Sequence, residues 1–270
     1  MEVNNKTAPV TGQQDQNTIS LDLMNRMKLH GMAEARMKRT ATGKTALALA
    51  ATPAPLQNSL FLSMLLAREW DYRSQAAIAR LTKNAAFRYK AYIEQIDYAT
   101  NRGLDRNQME RLATLDFVHK AQNLFITGSS GTGKSYLACA LGHEACKRGF
   151  RTFYANAPKL LGALKVAKVK GTLETELKKI ERCQLLILDD LFIVPLDAKE
   201  RPILLEIIED RHERKSIIIT SQYPSSNWYD MVGDPTIADA ILDRIIHTAH
   251  TIELYGESMR KLRSKKNEKF

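Results

Sequence analysis

Gly128, Gly133, Lys134 and Ser135 stand in the pattern Gly-x-x-x-x-Gly-Lys-Ser, with Ser129, Ser130, Gly131 and Thr132 between and Tyr136 after. Glycines let successive backbone N–H groups curl around one anion without a Cβ in the way. A helix starting near Lys134 adds the partial positive charge of its N-terminus. The Lys134 ammonium then reaches the outer phosphates of a nucleoside triphosphate, and the Ser135 hydroxyl is a ligand for Mg²⁺. The apolar run Leu124-Phe125-Ile126 reads as a buried strand, and Leu137 to Leu141 reads as a helix. The strand–loop–helix context that separates a phosphate-binding loop from a glycine-rich turn is therefore present.

A second set begins 55 residues after Lys134, where Leu185-Leu186-Ile187-Leu188 ends in Asp189-Asp190. Asp189 is placed to hold Mg²⁺ directly or through a water, and Asp190 to orient or deprotonate the attacking water. A water-activating acid beside the metal favours hydrolysis over transfer to a small acceptor. The strand Ile217-Ile218-Ile219 ends in Thr220-Ser221-Gln222. One of Thr220, Ser221 and Gln222 can sense the γ-phosphate or position water there; a plain turn before Pro224 is the alternative. Arg244 lies among apolar neighbours and needs an anion. That anion is either a neighbouring subunit's γ-phosphate, reached as an arginine finger, or Asp243, Asp239 or Glu253 in a salt bridge.

The elements that must position these groups alternate. Strands are predicted at 124–128, 151–155, 183–190, 216–222 and 251–254, with helices at 157–169, 173–182, 199–213 and 235–247. This is an α/β pattern, a five-stranded parallel sheet with helices on both faces, whose ligand edge is the C-terminal end of the strands. Before it, residues 1–18 read as a disordered lead and 19–104 as a small all-α domain; 105–257 form the nucleotide-binding domain and 258–270 a basic tail. Within the all-α domain one amphipathic helix is expected over 19–32. Thr52-Pro53-Ala54-Pro55 is expected to break the chain, and 56–92 to be helical again with Leu60, Phe61, Met64, Leu65, Ile78, Leu81 and Phe87 inside. Residues 41–48 mimic a second phosphate loop but lack the opening glycine, Lys38 standing in its place. Asp105 caps a helix expected to run through Leu115.

The net charge of +10 is unevenly spread: +6 over residues 1–120, −1 over 121–257 and +5 over 258–270. A neutral engine with basic flanks points to a polyanionic partner, foremost nucleic acid. Arg68, Arg73, Arg80, Lys83, Arg88 and Lys90 interleave with Trp70, Tyr72, Tyr89 and Tyr92, a string that can neutralise phosphates and stack on bases. Gln75–Asn84 could be one arm of a helix-turn-helix; a helical bundle with a solvated basic face gives the same string. Cys139, Cys146 and Cys183 form no close ligand pair. With no apolar N-terminal stretch and no membrane-length apolar run, a cytoplasmic protein is expected, with no membrane partner.

Gly128–Ser135, Leu185–Asp190, Ile217–Gln222, Asp243-Arg244 and Gly256-Glu257-Ser258-Met259-Arg260 resemble the IstB/DnaC group of AAA+ ATPases. Met27 to Ala35, Arg102-Gly103-Leu104-Asp105, Leu112 to Phe117 and Ala140-Leu141-Gly142-His143 bring the resemblance nearer to IstB-type insertion-sequence helper ATPases. Asp190 stands where AAA+ proteins generally carry Glu, a feature IstB/DnaC relatives share. The resemblance implies an AAA+ P-loop core that binds ATP and Mg²⁺ and hydrolyses ATP, with Arg244 acting across a subunit boundary. It further implies a homo-oligomer on double-stranded DNA that recruits or stimulates a transposase. A DnaC-like helicase loader, a small-molecule P-loop kinase and a non-hydrolysing ATP-gated scaffold are the alternatives. His143, among apolar neighbours, is expected to be structural.

Overall fold

The computed structural model describes residues 21–34, 54–247 and 249–261. The expectations for the lead at 1–18, the decoy at 41–48 and most of the basic tail lie outside these residues. The chain divides into two compact units, Met1–Ala77 and Ile78–Phe270.

In the first unit the helix expected over 19–32 is interrupted. Residues 21–26 are helical, Lys28 turns left-handed at φ 58°, and helix resumes at 30. The Glu69 carboxylate accepts from the backbone N–H of Gly31 at 2.9 Å and of Met32 at 3.2 Å, serving the free donors of the new helical start. A distant acid thus decides where the helix begins again. Helix α1 spans Ala54–Ala85. Pro55 therefore falls in the first turn of a helix rather than breaking one, a position where its missing N–H costs nothing. Gln75–Asn84 is the last part of this continuous 32-residue helix, and the turn at Ala86 leads into an irregular segment, not a second helix. Leu65 is buried as expected, but Met64 is 52% exposed and Trp70 75% exposed.

The second unit opens with the end of α1, which stops because Ala86 is left-handed at φ 56°. Residues 86–92 are consequently irregular, not helical as expected. A single 3₁₀ turn follows at Ile93–Gln95. Helix α2 spans Arg106–Ala113, capped by Asp105 through the N–H groups of Asn107 and Gln108. It falls short of Leu115, whose φ of 63° turns the chain into the short helix α3, Asp116–His119.

Then follow β1 (Asn123–Gly128), α4 (Lys134–Lys147), β2 (Thr152–Asn156), α5 (Ala157–Val169), α6 (Leu173–Glu181) and β3 (Leu185–Asp189). The chain continues through α7 (Glu200–Arg211), β4 (Ser216–Ser221), α8 (Trp228–Val232), α9 (Pro235–Ile246) and β5 (Ala249–Leu254). All five strands are parallel, in the order β2-β3-β4-β1-β5.

Alternation along the strands builds one core on each face. Phe125, Leu186, Leu188, Ile217 and Ile219 pack with α5, α7 and α9 through Leu161, Ile203, Ile207 and Ile241. Leu124, Ile126, Leu185, Ile187 and Ile218 pack with α4 and α2 through Leu137, Leu141 and Met109. Ala91 and Ile96 of the irregular segment join this second core. Registers Thr127↔Ser221, Leu188↔Ile219 and Asn156↔Asp189 align the polar ends of β1, β4, β3 and β2 along one edge.

Candidate nucleotide-binding site

At that edge the loop between β1 and α4 is folded as a cradle. Gly131 and Gly133 have φ of 88° and 102°, conformations that side chains resist. A Cβ on Gly131 would collide with Ser258, and one on Gly133 with the Arg102 guanidinium. The Thr132 hydroxyl donates to Ser129 O at 2.9 Å, tying the loop to itself. The Lys134 ammonium, buried at the start of α4, donates to the carbonyls of Gly128 at 2.7 Å and Ser129 at 2.9 Å. Burial pulls it below the ordinary lysine value, against the opposing charges of Asp190 and Asp189.

The acid pair sits at the end of β3, two strands away. Asp189 is fully buried, and its two oxygens accept from hydroxyls: Thr220 Oγ1 at 2.6 Å and Tyr154 Oη at 2.6 Å. Asp190 is left-handed at φ 59°. Its backbone N–H donates to Thr220 Oγ1 at 2.9 Å, and Asn156 Nδ2 donates to its Oδ2 at 3.3 Å. Burial, then the charge of Asp189, pushes the Asp190 carboxyl above the ordinary aspartate range.

Loop and acids meet in a cavity of about 470 Å³. Ser130, Gly131, Gly133, Lys134, Ser135, Tyr136, Asp190 and Gln222 border it. Of the remaining expected residues, Gly128, Ser129 and Thr132 shape the loop beneath, and Asp189 and Thr220 lie behind Asp190. At the end of β4 the three candidates thus separate: Gln222 faces the cavity, the Thr220 hydroxyl is spent on the acid pair, and the Ser221 hydroxyl accepts from Tyr223 N at 3.2 Å. Arg244 does not border its own cavity. It pairs with Glu209 at 3.1 Å, none of the three acids anticipated, and donates to Ala240 O at 2.7 Å.

Sequence reasoning missed four contributors. Arg102 is buried beneath the loop and donates to Thr132 O at 2.7 Å and Asp97 O at 3.0 Å. Arg88 lies 3.6 Å from Asp189 and 3.8 Å from Asp190, and with Tyr89 and Lys90 borders the cavity. Three members of the basic–aromatic string therefore line this site instead of an open face. Tyr154 has its phenol pushed well up by burial and by its bond to Asp189. Arg260 enters the wall because Met259 N donates to Gly131 O at 2.9 Å. Arg88, Arg102 and Arg260 stood in stretches the sequence had marked, but none had been assigned to this site.

His143 is structural as expected: its Nε2 lies 3.2 Å from Tyr89 O and its ring 4.3 Å from that of Phe87, pinning the 86–92 segment. The three thiols are unpaired, and burial pushes Cys139 up to about 11, which leaves it unreactive. No helix of the described residues is long and apolar enough to cross a membrane.

The cradle suits a triphosphate, with left-handed glycines, an ammonium and space beyond. Ser135, Asp190 and Asp189 supply hard oxygen donors of the kind Mg²⁺ takes alongside phosphate oxygens. Among the described residues no three His, Cys, Asp or Glu cluster as a cage for a metal by themselves. A cation here would need the phosphates to complete its shell.

Comparison with known proteins agrees. A protein of Sinorhizobium fredii named as an insertion sequence ATP-binding protein is 42% identical over 248 residues, 92% of this chain and 98% of its own. The IS21 insertion sequence ATP-binding protein of Pseudomonas aeruginosa is 35% identical over 74% of this chain and 76% of its own. Among solved structures, DnaI is 26% identical with a TM-score of 0.54, over 61% of this chain and 91% of DnaI. AMPPCP-bound DnaA from Aquifex aeolicus, at 24% identity and a TM-score of 0.52 over 68% of this chain and 56% of its own, shares the fold. The core is thus an AAA+ P-loop NTPase fold. The IstB-like ATP binding protein family matches residues 22–267, and the chain belongs to it.

Proposed function

We propose that this protein is an ATP-hydrolysing homo-oligomer that assembles on double-stranded DNA in transposition and recruits or stimulates a transposase, hydrolysis ending the assembly. The observation that carries this reading is the meeting of Lys134, Ser135 and Asp190 around one cavity, in a chain of this family.

Each residue's work follows from its place. The loop amides and Lys134 bind the β- and γ-phosphates, Lys134 exchanging its present carbonyl partners for phosphate oxygens. Ser135 and Asp189 would hold Mg²⁺, Asp189 directly or through a water, and the cation would supply charge neutralisation at the phosphates. Asp190, at the cavity wall, takes the proton of the attacking water, and Gln222 orients that water. Arg244, turned from its own cavity, serves a neighbour's γ-phosphate, with Glu209 holding it in the meantime. The positive charge concentrated outside residues 121–257 supports DNA as the surface of assembly.

The test is light scattering of the protein on duplex DNA with ATP, ADP or neither. ATP should promote large assemblies and hydrolysis should shrink them; a monomer on DNA whatever the nucleotide contradicts the reading. Arg244→Ala should abolish turnover while isolated subunits still bind ATP, and equal loss of both removes the finger role. Purified transposase should be retained by the ATP-bound assembly.

A further inference from the structure

We infer that Arg88 is the resident counter-ion of the Asp189–Asp190 pair and yields that place to the divalent cation that arrives with the triphosphate, so that it sets the metal requirement of the site. This rests on the nucleotide-site reading above.

Two adjacent carboxylates, one fully buried and one 23% exposed, cannot both stay ionised without nearby positive charge. Their hydrogen-bond donors, Tyr154, Thr220 and Asn156, are all neutral. The Lys134 ammonium also favours the charged form of Asp190 at a distance, but its hydrogen bonds go to two loop carbonyls and not to the acids. Among the described residues the ion pairs of both acids are made by Arg88.

The form of the contact matters as much as its existence. A guanidinium locked onto a carboxylate sits at about 2.7–2.9 Å. Arg88 holds 3.6 Å and 3.8 Å, one nitrogen facing an oxygen of each acid, while its side chain is 48% exposed. It offsets part of the pair's charge without close hydrogen bonding to either acid. It also springs from the irregular segment after the left-handed Ala86, where no helix ladder restrains it. Arg88 borders the same cavity as Ser135 and Asp190, residues that could hold a metal arriving with the triphosphate. Two cations cannot share those oxygens without repulsion. Metal entry therefore has to displace Arg88, and the displacement weakens metal affinity by the strength of the ion pair.

The experiment uses the full chain and a fluorescent, slowly hydrolysed ATP analogue, titrated with Mg²⁺ and separately bound in EDTA. In Arg88→Ala the Mg²⁺ concentration for half-maximal analogue binding should fall by about threefold to tenfold, the range expected for losing a half-exposed charge pair. Binding in EDTA should be unchanged. Arg88→Gln, which keeps the stem packed, should behave the same, and Arg88→Lys, which keeps the charge, should stay near the wild-type midpoint. An unchanged or raised midpoint in both neutral variants overturns the proposal. So does weaker binding in EDTA, which would make Arg88 a phosphate ligand instead. Failure of the underlying reading looks different: the wild type would bind no analogue at any Mg²⁺ concentration, or Lys134→Ala would bind it equally well.

Discussion

Thr220 Oγ1 donates to Asp189 Oδ1 at 2.6 Å while accepting from the backbone N–H of Asp190 at 2.9 Å. One hydroxyl on β4 thus sets the angle of the first acid and the turn that presents the second. Thr220→Val keeps the shape and removes this link. Turnover should fall about 10- to 100-fold, the usual cost of losing a partner that orients a metal-site acid, while ATP affinity measured by calorimetry holds. Equal loss of binding and turnover would show that the hydroxyl serves the fold alone.

Arg102 braces the phosphate loop from below by spanning Thr132 O and Asp97 O. Arg102→Ala should cost about 2–4 kcal/mol in urea unfolding, since it empties a buried site and strands two carbonyls. Nucleotide affinity should drop with it. Arg102→Lys should restore little, because one ammonium cannot match the planar fork that reaches both carbonyls.

Asp190 has its carboxyl raised above the ordinary 3.8 by burial and then by Asp189. The folded protein therefore holds this proton more tightly than the unfolded chain. Its contribution to stability is full in acid, is lost as pH rises through the folded value, and turns into repulsion between acids at neutral pH. Asp190→Asn should raise the melting temperature at pH 7 by roughly 2–4 °C, about 1 kcal/mol, with the gain vanishing in acid. Asn also tolerates the left-handed backbone at this position. Hydrolysis should disappear in the same variant. In the wild type it should fail on acidification at a higher pH than an ordinary aspartate would dictate.

Glu69 presents the opposite sign. Burial alone would raise its carboxyl, but the bonds from Arg73 and from the backbone of Met32 and Gly31 outweigh it and leave the value below the ordinary 4.5. Its contribution is present above that value and is lost as pH falls through the folded one. Glu69→Gln should destabilise the first unit by about 1 kcal/mol at neutral pH, near the net worth of one hydrogen bond. The difference should close in acid, as followed by thermal unfolding at each pH.

What could be read from residue order alone was whatever depends on neighbours in the chain. The phosphate loop is contiguous, so Gly128 to Ser135 carry their own diagnosis. The acids end an apolar run, so β3 and its edge were legible, as were the alternation of strands and helices and the Asp105 cap. The limits of the helices were not. Lys28, Ala86 and Leu115 each turn left-handed without being glycine, and nothing in their types announces it; tertiary packing imposes the turn. The site's supports were hidden for the same reason. Arg88 meets an acid about a hundred residues away, Arg102 meets the loop thirty residues on, and Tyr154 meets Asp189 only because β2 lies beside β3 in one register. Motifs record chemistry held within a few consecutive residues. The charges that balance that chemistry are brought in by the closing of the sheet and the return of flanking segments, and only folding brings them within ångströms of the acids and the loop.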